Sequence, residues 1–80
     1  MNKEDLKIVF NNAKSLKEDV IVESTVPTRE DSEYIVVQNS NIDYKLNYYL
    51  ENYNDNLELE RCKDIKILSL HIANFKLMLK

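Results

Sequence analysis

The chain has no glycine among its 80 residues. Average usage of roughly 7% would supply about five or six. Phosphate-cradling loops, dinucleotide fingerprints and nucleophile elbows all need a backbone free of Cβ atoms, so each is excluded. Left-handed turns must then fall to asparagine, the residue that visits that region most readily after glycine. Asparagines do stand at the expected breaks, at Asn39, Asn41, Asn54 and Asn56. The sequence therefore predicts a fold with asparagine turns and no backbone-lined ligand cradle, and directs attention to side-chain surfaces.

An apolar fraction of 44% is ordinary for a folded chain, and 80 residues suffice for a single domain, 1–80, with a small core. One cysteine rules out a disulfide framework and suits a reducing interior. Met1-Asn2-Lys3-Glu4-Asp5 leads into mixed charge, unlike a secretory leader. The most apolar stretch, Ile65 to Leu79, is broken by Lys66, His71 and Lys76. It also falls short of the roughly twenty residues of a membrane span. A cytoplasmic protein that engages no membrane is expected.

The net charge of −3 conceals a segregation. Residues 18–33 sum to −5, whereas residues 1–17 carry +2 and residues 65–80 carry +3. No basic stripe of the kind that displaces counterions from nucleic acid is present, so no direct nucleic-acid contact is expected.

Periodicity divides the chain into alternating element types. Leu6, Val9, Phe10, Ala13 and Leu16 form one helical stripe, with Asn2 as its N-cap and Glu4 and Asp5 in the first turn. Val20 to Val26 and Tyr34 to Gln38 read as strands of a hairpin, turning through Pro27-Thr28-Arg29-Glu30-Asp31. A second helix spans Ile42 to Tyr53, with N-caps available at Asn39-Ser40-Asn41. Its inner stripe is Ile42, Leu46, Tyr49, Leu50 and Tyr53. Leu57 and Leu59 alternate with acids in a short strand, Arg61 to Asp64 turns, and Ile65 to Ile72 is a longer strand. Beyond it, Phe75, Leu77 and Leu79 alternate as a strand does, while Leu68, Ile72, Phe75 and Leu79 also fit a helix. The fold class is α+β, in the order α-β-β-α-β-β, with a four-stranded antiparallel sheet and both helices on one face.

Few residues carry chemistry. Cys62 and His71 are the only soft metal ligands, and two ligands fall short of the four of a closed zinc site. No third residue orients them as a nucleophile pair. No enzymatic activity, cofactor or metal is expected. Binding surfaces are more promising. Tyr44, Tyr48 and Glu51 fall on the side of the second helix opposite its apolar stripe, and tyrosine is enriched at interfaces. Glu30, Asp31 and Glu33, with Glu23 on the partner strand, form an acidic patch suited to a basic partner, such as a nucleic-acid-binding protein. Ten of the fifteen residues from Ile65 to Leu79 are apolar, more than one wet-faced strand should carry. Either both faces of the segment are covered, with Phe75 to Leu79 folding back, or an exposed patch awaits a second copy in a homodimer.

Asn41-Ile42-Asp43-Tyr44-Lys45-Leu46, Tyr48-Tyr49, Tyr53-Asn54-Asp55-Asn56-Leu57-Glu58-Leu59 and Ile65-Lys66-Ile67 resemble a small family of phage and prophage proteins from low-GC Gram-positive bacteria. The resemblance covers about residues 39–67, and the first 38 residues only in layout. The chain departs from the family pattern by continuing, apolar and basic, from Leu68 to Lys80. By association, the resemblance implies a stoichiometric inhibitor of a host protein, a CRISPR nuclease or another defence factor, acting in the host cytoplasm. The alternative is a structural phage protein that self-associates through its apolar C-terminal segment.

Overall fold

A computed structural model describes residues 1–73. Helix α1 (Lys3–Leu16) is followed by strands β1 (Val20–Thr25) and β2 (Ser32–Val37) and a 3₁₀ turn over Asn39–Asn41. Helix α2 (Ile42–Asn52) and strands β3 (Glu58–Leu59) and β4 (Cys62–Ile72) complete it. The protein is α+β, and its four strands form one antiparallel sheet in the order β2-β1-β4-β3.

The capping of α1 is local and complete. The Asn2 side chain accepts from the Asp5 amide at 3.0 Å, and the Asp5 carboxylate accepts from the Asn2 amide at 2.9 Å, so two donors are satisfied reciprocally. Of the expected stripe, Leu6, Phe10 and Ala13 are buried and Val9 packs against them. Leu16 instead is 62% exposed, because the helix ends there and the chain turns away at Lys17.

The asparagines do not act as expected. Among the described residues the left-handed ones are Lys17, at φ 57°, and Leu57, at φ 60°. Asparagine works here through its side chain. The Asn54 carbonyl oxygen accepts from the amides of Asn56 and Glu58 at 2.9 and 3.0 Å, which folds the link from α2 into β3. Asn39 donates through Nδ2 to the carbonyls of Ala13 and Glu18, while its own amide donates to Asp19 Oδ1 at 2.8 Å. The Asp19 carbonyl in turn accepts from the Ala73 amide at 2.8 Å. The Asn39 and Asp19 side chains thereby tie the end of α1, the start of β1 and the entry to α2, and the Asp19 backbone carbonyl adds the end of β4. Asn41, one of the expected candidates, is the N-cap residue of α2, but Asn39–Asn41 forms a 3₁₀ turn and the Asn41 side chain makes no cap bond.

The two helices run in opposite directions. Lys14 near the end of α1 pairs with Asp43 at the start of α2, and Lys3 at the start of α1 donates to the carbonyl of Leu50 near the end of α2. Between them Phe10, Tyr48, Tyr49 and Tyr53 meet edge-to-face, with centroids 5.2–6.4 Å apart. The Tyr49 hydroxyl is buried with no hydrogen-bond partner among the described residues, and burial pushes its ionisation well above the usual tyrosine range.

Strand β4 begins at Cys62, where a turn is expected, and β3 keeps only two residues. The apolar density of β4 has a local cause. Glu23 pairs with Ser69 but Ser24 pairs with Ile67, so Leu68 is an extra residue opposite no partner. The bulge changes which residues face inward: Ile65 and Ile67 before it, Leu70 and Ile72 after it, all against the core cluster. Leu68 is left 46% exposed. The other half of the apolar segment, with Phe75, Leu77 and Leu79, lies outside the described residues.

Left-handed backbone costs a residue with a Cβ about 1–2 kcal/mol, and glycine avoids that cost. Lys17 is exposed, so Lys17→Gly is expected to raise stability by about 0.5–1 kcal/mol in chemical denaturation. Leu57 shares the conformation but is fully buried, so Leu57→Gly is expected to lower stability by roughly 2 kcal/mol or more. A loss from Lys17→Gly would contradict the left-handed cap.

Candidate functional site

Strand β1 lies between β2 and β4, and its side chains alternate between the core and the opposite face. Val20, Val22 and Ser24 point inward and are buried. Ile21, Glu23 and Thr25 therefore point to the other face, and antiparallel register brings their neighbours beside them. One row is Val36-Ile21-His71 and the next is Tyr34-Glu23-Ser69.

Glu23 is the polar centre of this face. Its Oε2 accepts from the Ser32 hydroxyl at 2.5 Å and, more distantly, from the Tyr34 hydroxyl at 3.4 Å. Its Oε1 accepts from the Ser69 hydroxyl at 2.8 Å. The Ser32 and Ser69 hydrogen bonds hold the carboxyl below the ordinary glutamate range, against partial desolvation, with smaller help from Tyr34 and His71. Around this fixed negative charge stand exposed apolar groups: Tyr34 at 64%, Val36 at 56%, and Leu68 on the bulge.

The bulge is stitched by Thr25. Its hydroxyl donates to the Asp64 carbonyl at 2.6 Å and accepts from the Lys66 amide at 2.8 Å, replacing ladder bonds beyond the register shift. This arrangement offers charge, hydroxyls and apolar surface on one sheet face. Among the described residues no pocket forms, and no three His, Cys, Asp or Glu side chains converge as metal ligands. Cys62 and His71 lie near opposite ends of β4, ~30 Å apart along an extended strand. They cannot share one ion.

The residues expected to bind partners fall on two separate elements. On α2, Tyr44 is 74% exposed and Glu51 is exposed. Tyr48 departs from its expected outward position. It is half-buried, edge-on to Tyr49 and Tyr53, with the Lys45 ammonium 5.0 Å from its ring centre. The cause is the crowding of Tyr48, Tyr49 and Tyr53, which draws the ring into the aromatic cluster. On the β1–β2 hairpin, Glu30, Asp31 and Glu33 are exposed. Arg29 holds Asp31 through two contacts of 3.1 Å and keeps its carboxyl below the usual aspartate range. No hydrogen bond or ring contact joins the helix set to the hairpin set among the described residues.

Sequence reasoning missed the platform itself. Alternation along β1 and β2 would have put Glu23, Tyr34 and Val36 on one face, since strand period is two. Ser69 and His71 were not accessible that way, because the bulge shifts their phase. Comparison with known proteins yields no matching family model, no matching curated protein and no matching solved structure.

The hydroxyl bonds to Glu23 give a pH test. A carboxyl whose folded value lies below its ordinary value of 4.5 adds stability above that value and loses it as pH falls through the folded value. The melting-temperature gap between the native chain and Glu23→Gln should thus be largest near ~pH 7 and close towards ~pH 3. A gap independent of pH would mean that the carboxylate is not held by these donors.

Proposed function

We propose that this chain is a protein-binding module that works by occupying a partner's surface, and that its main contact is the sheet face around Glu23. The reading places both helices on the other face: Leu6, Phe10 and Ala13 of α1 share one cluster with Ile42 and Tyr49 of α2 and Val20, Val22 and Ile67 of the sheet. The observation that carries it is exposed Tyr34, Val36 and Leu68 around a fixed carboxylate. Large apolar groups gathered at one place mark contact surfaces, whereas scattered ones do not. Tyr44 and Glu51, beside the edge of Tyr48, make a second patch, and Glu30, Asp31 and Glu33 steer a basic partner towards the hairpin.

The narrower reading is a stoichiometric inhibitor of a host defence protein, a CRISPR nuclease or a comparable nucleic-acid-binding factor, acting in the host cytoplasm. It draws on the phage-type pattern of residues 39–67 and on the acidity of residues 18–33. Among the described residues no helix is long and apolar enough to cross a membrane. A second reading, self-association through residues 65–79, draws on exposed Leu68 and the apolar composition of that segment.

Capture of a host protein on immobilised full-length chain tests the first reading. Glu23→Gln with Tyr34→Ala is expected to weaken capture by ~2 kcal/mol or more, the hot-spot scale, and Tyr44→Ala by less. Capture unchanged in the folded double variant would overturn the sheet face as the contact. Light scattering addresses the second reading, which requires a dimer in the absence of any host protein.

A further inference from the structure

We propose that the partner binds by strand addition, laying an extended segment of alternating apolar and cationic residues along the free edge of β2. The inference rests on the protein-binding reading above and names the partner's chemistry. Strand β2 is an outer strand, paired on one side by β1 only among the described residues. Sheet edges are ordinarily guarded by lysine, proline, a bulge or brevity, because unpaired backbone groups invite another strand. The six residues of β2 carry no lysine, proline or bulge, their register with β1 runs without a break, and their one charge is Glu33, which guards the edge unless a cation meets it.

Charge selects the occupant. Residues 18–33 sum to −5, and their single cation, Arg29, is already engaged by Asp31. Strand β2 itself carries Glu33 and no cation. A second copy would bring two hairpins of the same negative net charge together, whereas a cationic segment is attracted along the whole hairpin. Face alternation then fixes the pattern of the incoming strand. Side chains on the open face lie beside exposed Tyr34 and Val36 and should be apolar. Side chains on the opposite face lie beside Glu33 and Ile35, which favours an arginine or lysine next to Glu33. Strand addition supplies main-chain hydrogen bonds for affinity, and this alternation supplies the selectivity.

The test is an amide NMR titration of the full chain with a synthetic peptide that alternates valine and arginine and matches β2 in length. The expected result is saturable binding with shifts centred on Ser32–Val37, weakened on the order of tenfold by Glu33→Lys, which sits at an exposed position. A valine–glutamate analogue should not bind, nor should the arginine peptide with alternate valines replaced by proline, which cannot donate to a ladder. Equal binding of either control, shifts centred on α2, or no binding at all would overturn strand addition. A dimer that the peptide fails to dissociate would also overturn it, since a second copy would then hold the edge. If the peptide fails while Glu23→Gln with Tyr34→Ala still abolishes host-protein capture, the mode is wrong and the contact face stands. If capture too is unaffected, both fail.

Discussion

The extra residue at Leu68 governs the rest of this structure. Strand β4 must bury Ile65 and Ile67 against the end of β1 and also Leu70 and Ile72 against its beginning. Those two pairs differ in phase, and an uninterrupted strand would send one of them to the wrong face. The bulge between them resolves the conflict at the expense of one ladder position, which the Thr25 hydroxyl partly replaces. The same shift sets Ser69 beside Glu23 and His71 beside Ile21. The β4 contribution to the core and the layout of the platform are therefore consequences of one irregularity.

This explains what was legible in the sequence. Helix α1, the hairpin and α2 follow from local signals: the Asn2–Asp5 capping box, β-branched runs and helical apolar stripes. Alternation in the sequence picks out Leu57 and Leu59 as buried, although only Leu59 lies in β3 and Leu57 reaches the core from a left-handed turn. The apolar excess after Ile65 was visible too, but its meaning was not, because a bulge has no local signature when apolar residues lie on both sides of it. Tyr48 was misplaced for a related reason. A helical wheel assigns faces from the axis alone, whereas three tyrosines within six residues recruit one another through ring contacts.

The missing glycines now have a physical interpretation. Where left-handed backbone is needed, Lys17 and Leu57 adopt it, and Leu57 recovers the cost by complete burial. Asparagines and aspartates serve as connectors, with Asn39 and Asp19 joining four segments through carbonyl and amide bonds. Among the described residues no pocket forms, so what the chain presents is side-chain surface. The platform around Glu23, the exposed Tyr44 and the acidic hairpin all suit contact with another macromolecule.

The β1–β4 register shifts at Leu68, and that shift assembles the open face. Cross-strand nuclear Overhauser contacts in the assigned full-length chain test it most directly. The account predicts contacts of Glu23 with Ser69 and of Ser24 with Ile67 together, with Leu68 opposite neither. Contacts of Ser24 with Leu68 and of Thr25 with Ile67 would mean a continuous ladder. Ile65 and Ile67 would then face outward, and the account would be contradicted.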